Sequence, residues 1–169
     1  MFDSQPILKG KQVYLRPLRS EDYDDLYVVA SDPLIWEQHP AKNRYQEAEF
    51  QKFFRESLAS CGALLVIDAN SNQTIGSYRF YGYSEEKSEV EIGWIFLARS
   101  HWGGATNREV ISLMLQHALQ FVDRVVYLVG PDNLRSQRAV EKLGGTRLPP
   151  RRDASGLESY VYQLVATSD

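Results

Sequence analysis

Cysteine is nearly missing from this sequence: Cys61 stands alone among 169 residues. No internal disulfide can form, which suits a reducing compartment. Nothing around Ser60-Cys61-Gly62 has the pattern of a catalytic thiol, whose activation needs a basic partner. Histidine is scarce too. His39, His101 and His117 share no ligand spacing with Cys61 or with one another, so no metal site is expected. Charge of one sign is also lacking, since 19 Lys and Arg against 22 Asp and Glu leave a net charge of −3. That balance speaks against nucleic acid and acidic membrane surfaces as partners, though not against a small local basic cluster. No run reaches the ~18 apolar residues of a membrane span. Met1-Phe2-Asp3-Ser4 lacks the basic and apolar regions of a secretory signal, and a cytoplasmic location is expected. Gly-Lys-Ser/Thr and an N-terminal strand–Gly-x-Gly-x-x-Gly–helix are both missing, which counts against a glycine-loop nucleotide-binding protein.

What is present is an ordinary globular composition, 43% hydrophobic and 24% charged. The length suits one domain over residues 1–169, with a core and a cleft. Gly10 to Leu18 reads as an opening strand. Ser20 reads as the N-cap of a helix that carries Leu26, Val29 and Ala30 inward and stops by Pro33. Pro33 to His39 is a short helical piece or loop. Gln46 to Ala59 is a second helix with Phe50, Phe53, Phe54 and Leu58 on one side. Ala63–Asp68, Thr74–Tyr83 and Glu89–Leu97 are strand-like and too close together for intervening helices, so antiparallel hairpins are expected. Val125 to Val129 is a short buried strand. Asn133 to Leu143 is a last helix ended by Gly144-Gly145. A turn near Asp153-Ala154-Ser155-Gly156 and alternation from Tyr160 to Leu164 suggest a closing hairpin.

The stretch from Val90 to Val122, VEIGWIFLARSHWGGATNREVISLMLQHALQFV, carries the chemistry. It begins as a strand, passes through a Gly-Gly turn and becomes a long amphipathic helix with Val110, Leu113, Met114, Ala118 and Phe121 at helical spacing. A glycine turn at a helix start leaves backbone N–H groups unpaired and approachable, which suits a phosphate. A second reading competes for the same donors: Thr106-x-x-Glu109 has the spacing of a capping box.

The strand VEIGW, the turn WGGATNRE and the helix NLRSQRAVEKLGG after VVYLVGPD together resemble the GNAT family of N-acetyltransferases, in register over about Val13 to Leu164. Asn133, Ser136, Glu141, Lys142 and Gly144 resemble the Rim-type branch, which acetylates ribosomal-protein N-termini, alanine among them. The resemblance implies an α/β (α+β) fold: a mixed, mostly antiparallel central sheet with a splayed parallel strand pair, flanked by about four helices. It implies acetyl-CoA as co-substrate and no metal. Two departures stand out. The family's phosphate turn opens on Gln or Arg where this chain has Ser100, with Arg99 one place early. The tyrosine that many relatives carry seven residues after the asparagine, as acid toward departing CoA, is Val140 here.

By the same resemblance, Trp102, Gly103, Gly104, Ala105 and Thr106 would hold the coenzyme's pyrophosphate. Backbone N–H groups around Trp94, Ile95 and Phe96 would stabilise the oxyanion. Asn133 would contact the pantetheine arm, with an N-cap as its other reading. Arg138 and Arg135 would meet phosphates. An alkyl ammonium is mostly protonated at neutral pH and needs a base before it can attack. Glu91 is that base, direct or through water, with Glu89 on the same face as reserve. Ser136 is the acid. Trp36, Tyr78, Tyr81, Tyr160 and Tyr162 are candidates for acceptor contacts, and the acidic run Glu85-Glu86-Lys87-Ser88-Glu89 leans toward a cationic acceptor. The acceptor class stays open between a protein N-terminus and a polyamine or small amine. A non-catalytic acyl-CoA-binding module is the alternative function. A homodimer is compatible with the sequence, which carries no signal of oligomeric state.

Overall fold

The apolar run Ala63–Asp68 has no polar face, and the fold explains why. As strand β3 it sends Leu64 and Val66 into one apolar cluster and Ala63, Leu65 and Ile67 into a second on the opposite side of the sheet. A strand covered on both faces reads as continuous hydrophobicity. The computed structural model describes residues 1–152 and 156–165, and among these eight strands form one sheet. With β3 they are β1 (Leu8–Lys9), β2 (Val13–Pro17), β4 (Thr74–Ser84), β5 (Glu89–Leu97), β6 (Arg124–Val129), β7 (Thr146–Arg152) and β8 (Glu158–Leu164). Their spatial order is β1-β2-β3-β4-β5-β6-β8-β7. β5 and β6 are parallel and every other neighbouring pair is antiparallel. The expected mixed sheet with a parallel pair is therefore the observed one.

The α-helices among the described residues are α1 (Tyr23–Ala30), α2 (Glu47–Ser60), α3 (Ala105–Ala118) and α4 (Leu134–Lys142). α1 and α2 bury Leu26, Ala30, Phe50, Phe53 and Phe54 on one face of the sheet. α3 and α4 bury Val110, Ile111, Met114 and Val140 on the other. The phenylalanine stripe of α2 is thus core, which helical spacing alone suggested. No helix among the described residues is long and apolar enough to cross a membrane.

One local expectation changes. Ser20 does not cap a helix: Ser20–Asp22 is a single 3-10 turn capped by Arg19, and α1 begins at Tyr23. The Asp22 carboxylate accepts from the Arg19 backbone N–H at 2.8 Å and pairs with the Arg16 guanidinium at 2.7 Å, tying β2 to the start of α1. In the closing hairpin, Asp153-Ala154-Ser155 lie outside the described residues.

Candidate active site

Parallel pairing of β5 with β6 runs from Glu89↔Arg124 to Ile92↔Tyr127 and stops, although β5 continues to Leu97 and β6 to Val129. The strands part there. On its other edge β5 stays with β4 but carries an extra residue: Arg79 faces Gly93, yet Ser77 faces Phe96. Trp94, at φ 53, is the bulged residue. Positive φ on a bulky side chain is costly and persists only where the surroundings enforce it. The bulge also shifts side-chain alternation. Val90 and Ile92 face the α3 side, whereas Phe96 falls to the α1–α2 side.

The opening leads into a cleft of about 820 Å³. Its floor includes Ile95, Phe96 and Leu97, and its rim Trp102, Gly103, Gly104 and Ala105. Gly103 has φ 71, and a Cβ built on it or on Gly104 would meet nothing within 4 Å. Gly104 caps α3, and no side chain caps the helix with it. The capping box that Thr106 and Glu109 offered as the competing reading does not form. Glu109 instead turns to the β1–β2 connection, where its carboxylate accepts from the backbone N–H groups of Lys11 and of Gln12, the latter at 3.0 Å. The first-turn amides of α3 are therefore left to the cleft, at the positive end of the helix dipole. Arg108, Arg138 and Lys142 line the same cleft and add formal positive charge. At its mouth the Arg135 guanidinium lies 3.8 Å over the Trp102 ring, and the Arg135 backbone N–H donates to Gln38 Oε1 at 3.2 Å.

Deeper in, Tyr127 on β6 and Ser136 on α4 line the cleft together, and burial pushes the tyrosine up to about 12, with the Ser136 hydroxyl pulling the other way. Tyr78 is wholly buried, is raised well above its ordinary value by that burial, and donates its hydroxyl to Asn107 Oδ1. At neutral pH both phenols are uncharged donors. Tyr78 thus belongs to the coenzyme side rather than among acceptor contacts. Tyr127 was missed by sequence reasoning. The available signal was the one polar tip in the apolar strand VVYLV.

On the opposite face stand two carboxylates with unlike surroundings. Glu89 is buried and accepts two hydrogen bonds from Arg151, at 3.0 and 3.2 Å, with Arg124 3.8 Å away. The Arg151 guanidinium holds its carboxyl below the usual range. Glu91 is half-buried, and among the described residues no hydrogen bond reaches its carboxylate. Burial pushes it up to about 7, against the pull of Arg151 and with the help of Glu89. A carboxylate that spends its lone pairs on two arginines is a poor base. The reserve role considered for Glu89 lapses, and with it much of the acidic run's lean toward a cationic acceptor.

Of the residues expected at the coenzyme, Ile95, Phe96, Trp102, Gly103, Gly104, Ala105, Ser136 and Arg138 line the cleft together. Trp94, Thr106 and Asn133 do not. The Trp94 ring lies on the other face, against Phe53 and Tyr81. Thr106 is buried within the first turn of α3. The Asn133 side chain accepts from the Ser136 N–H at 3.3 Å, which is its N-cap reading. Arg99 pairs with Asp32 at 2.5 Å, and Trp36 and Tyr162 are core residues with their polar tips bonded to Ala30 O and Glu141.

The opened parallel pair and the uncapped glycine turn meet in one cleft. The family described as Acetyltransferase (GNAT) domain matches residues 12–146, and the chain belongs to that family. Acetyl transfer from acetyl-CoA is that family's chemistry. No curated protein matches the chain. Among solved structures it is similar to a GCN5-related N-acetyltransferase from Brucella melitensis, at 19% identity and a TM-score of 0.83, over 96% of this chain and 79% of that one. It is similar to a GNAT-family acetyltransferase from Bacillus anthracis at 20% identity and a TM-score of 0.77, over 95% and 99%. Mycobacterium smegmatis RimJ in complex with CoA-disulfide is 15% identical with a TM-score of 0.71, over 97% and 90%.

Proposed function

We propose that this protein moves an acetyl group from acetyl-CoA to a primary amine by direct attack, without an acyl-enzyme. One observation carries the reading: the β5–β6 pair opens after Ile92 and Tyr127 at the end of the sheet that meets the glycine turn. The residues present fit the coenzyme. Gly103, Gly104 and the first-turn amides of α3 would hold the pyrophosphate, with Arg108, Arg138 and Lys142 around it. The edge of β5 left by β6 offers pantetheine the hydrogen bonds a neighbouring strand would otherwise take. Bound there, acetyl-CoA supplies an activated acetyl thioester.

The chain's own residues then handle protons. Glu91, raised to about 7, takes the amine's proton, direct or through one water. A base poised near the working pH combines a useful ionised fraction with a real appetite for the proton. The new N–C bond forms as the C–S bond breaks. Ser136 Oγ, backed by the Tyr127 hydroxyl, donates to the leaving sulfur, whose modest basicity (thiol pKa about 8.5) demands little acid. Backbone N–H groups near the Trp94 bulge steady the carbonyl oxygen as charge gathers on it.

The raised carboxyl of Glu91 favours a catalyst over a module that only holds acyl-CoA. The deciding measurement is release of free thiol in a screen of amines and N-terminal peptides. Steady release that needs both acetyl-CoA and an added amine is expected. Tight coenzyme binding with no turnover on any amine would leave the binding-module reading in its place, and release independent of amine would make the activity thioester hydrolysis instead.

A further inference from the structure

On the acceptor face two arginines share one aromatic pocket. The Arg79 guanidinium lies 4.4 Å from the centre of the Trp94 ring and 5.7 Å from that of Phe53. The Arg44 guanidinium lies 4.4 Å from Phe53, 5.2 Å from Trp36 and 5.8 Å from Trp94. Among the described residues, neither has a carboxylate within ion-pair distance. The nearest, Glu56 for both and Glu49 for Arg44, act only at longer range. Arg79 is 4% exposed. Its Nη2 donates to Ser57 Oγ at 2.6 Å, and its Nε is buried without any partner. Arg44 is partly open to solvent, and its guanidinium makes no hydrogen bond among the described residues.

Burying one cation without a counter-charge is expensive, and a second cation beside it adds repulsion. Ring faces offset part of this, about 0.5–2 kcal/mol per contact, but they supply no hydrogen-bond acceptor. The strain is visible in Arg44, which burial and the Arg79 charge pull down to about 10. Such a pair, with a free buried N–H and an open side, is completed by an anion from outside.

Its position says which one. Arg79 faces Gly93 across the ladder, and Tyr81 faces Glu91. Arg79 and Glu91 therefore share a face, two positions apart, or about 7 Å along a strand. Trp94 links them, with Arg79 over its ring and Tyr81 at its edge, 6.1 Å between centroids.

We propose that Arg44 and Arg79 form an anion subsite for the acceptor, so that the amine acetylated also carries a carboxylate one short molecular length from its nitrogen. The inference rests on the acetyltransferase reading above and names its substrate class. The carboxylate has two sources, the α-carboxylate of a free amino acid or an acidic side chain next to a peptide N-terminus. A polyamine fits neither.

The test compares matched amines in the thiol-release assay: alanine, methionine and phenylalanine against their amides, and a Ser-Asp peptide amide against Ser-Asn. A preference of at least tenfold in kcat/KM for the carboxylate-bearing member of one series is expected, and the series that shows it identifies the source. Arg44→Gln should erase that preference while KM for acetyl-CoA, bound on the other face, holds. Equal rates on carboxylate and amide, or a preference that survives Arg44→Gln, overturn the proposal. If no amine is turned over, a titration with succinate in the presence of CoA separates the two readings, with tryptophan fluorescence as the signal. A saturable change lost in Arg44→Gln keeps the subsite and drops the reaction; no change drops the subsite as well.

Discussion

The two faces of β5 solve opposite electrostatic problems. On the α3–α4 face the cleft is proposed to receive a ligand of high negative charge. The protein meets it with backbone amides, with cations at the rim, and with neutral hydroxyls deep inside, where Tyr78 and Tyr127 are kept protonated by burial. The α1–α2 face carries formal charges on a small area, with Glu91 at one end and Arg79 and Arg44 at the other. On the proposed reading the coenzyme face holds by shape and dipole, and the acceptor face discriminates by charge. Trp94 divides them. Its bulge puts Ile95 toward the coenzyme and its own ring toward the acceptor, so one strained residue re-aims both sides.

The hardest way to break the comparison is to put charge on the coenzyme face. Gly103→Asp places a carboxylate where the phosphates should lie. Open space surrounds the position, and Asp tolerates positive φ at about 1–2 kcal/mol, so the fold should survive. KM for acetyl-CoA is expected to rise by ~100-fold or more through lost donors and like-charge repulsion. Isothermal titration with CoA checks it, and unchanged affinity would remove the turn from the site.

Next in size is the base. Glu91→Gln should lower kcat by ~10²–10⁴ and abolish the acid limb expected of the wild type near pH 7. The same change should stabilise the fold at high pH. Glu91 has a folded pKa above its unfolded one, so between about 4.5 and 7 the folded state holds the extra proton and stability declines as pH rises. Gln carries no such loss. Melting temperatures should match at pH 4, and the variant should melt several degrees higher at pH 8.

These contrasts also mark what the sequence made legible. The strand–turn–helix core could be read because its signals are local: β5 has the expected bounds, Gly103 and Gly104 sit where a turn needs them, and Asn133 caps α4. What could not be read depends on partners far along the chain. Glu89 and Glu91 look alike in sequence, and only Arg151, brought back across the sheet by the last hairpin, separates them. The Trp94 bulge flips alternation, so period-two reasoning from Val90 assigns the wrong face beyond it. Tyr127 meets Ser136 only through the packing of α4 on β6, and Arg44 meets Arg79 only through α2. The choice between the two readings of Thr106 and Glu109 was open in sequence for a similar reason, since only the fold brings Glu109 to the β1–β2 turn.

A smaller effect is expected at the hydroxyl pair. Tyr127→Phe and Ser136→Ala should each cost ~10-fold in kcat, because the thiolate leaves readily without much acid. Both act through one proton route, so the double variant should be little worse than the weaker single one. Full additivity of the two losses would mean that the hydroxyls work independently.

The smallest and most diagnostic change is Arg151→Gln, outside the lining of the cleft. Arg151 favours the ionised form of Glu91 by its charge alone and binds Glu89 directly. Removing the cation takes away a force that lowers the Glu91 pKa, so that pKa must rise. Glu89, freed of its main partner, remains a negative neighbour and pushes the same way. The acid limb of kcat should therefore move to higher pH while the plateau at pH 9 stays close to the wild type, because the base itself is intact. Activity at pH 6.5 falls by a few-fold and is recovered by alkali, whereas Glu91→Gln is recovered at no pH. An acid limb that stays put would show that the charge of the last hairpin does not reach the base.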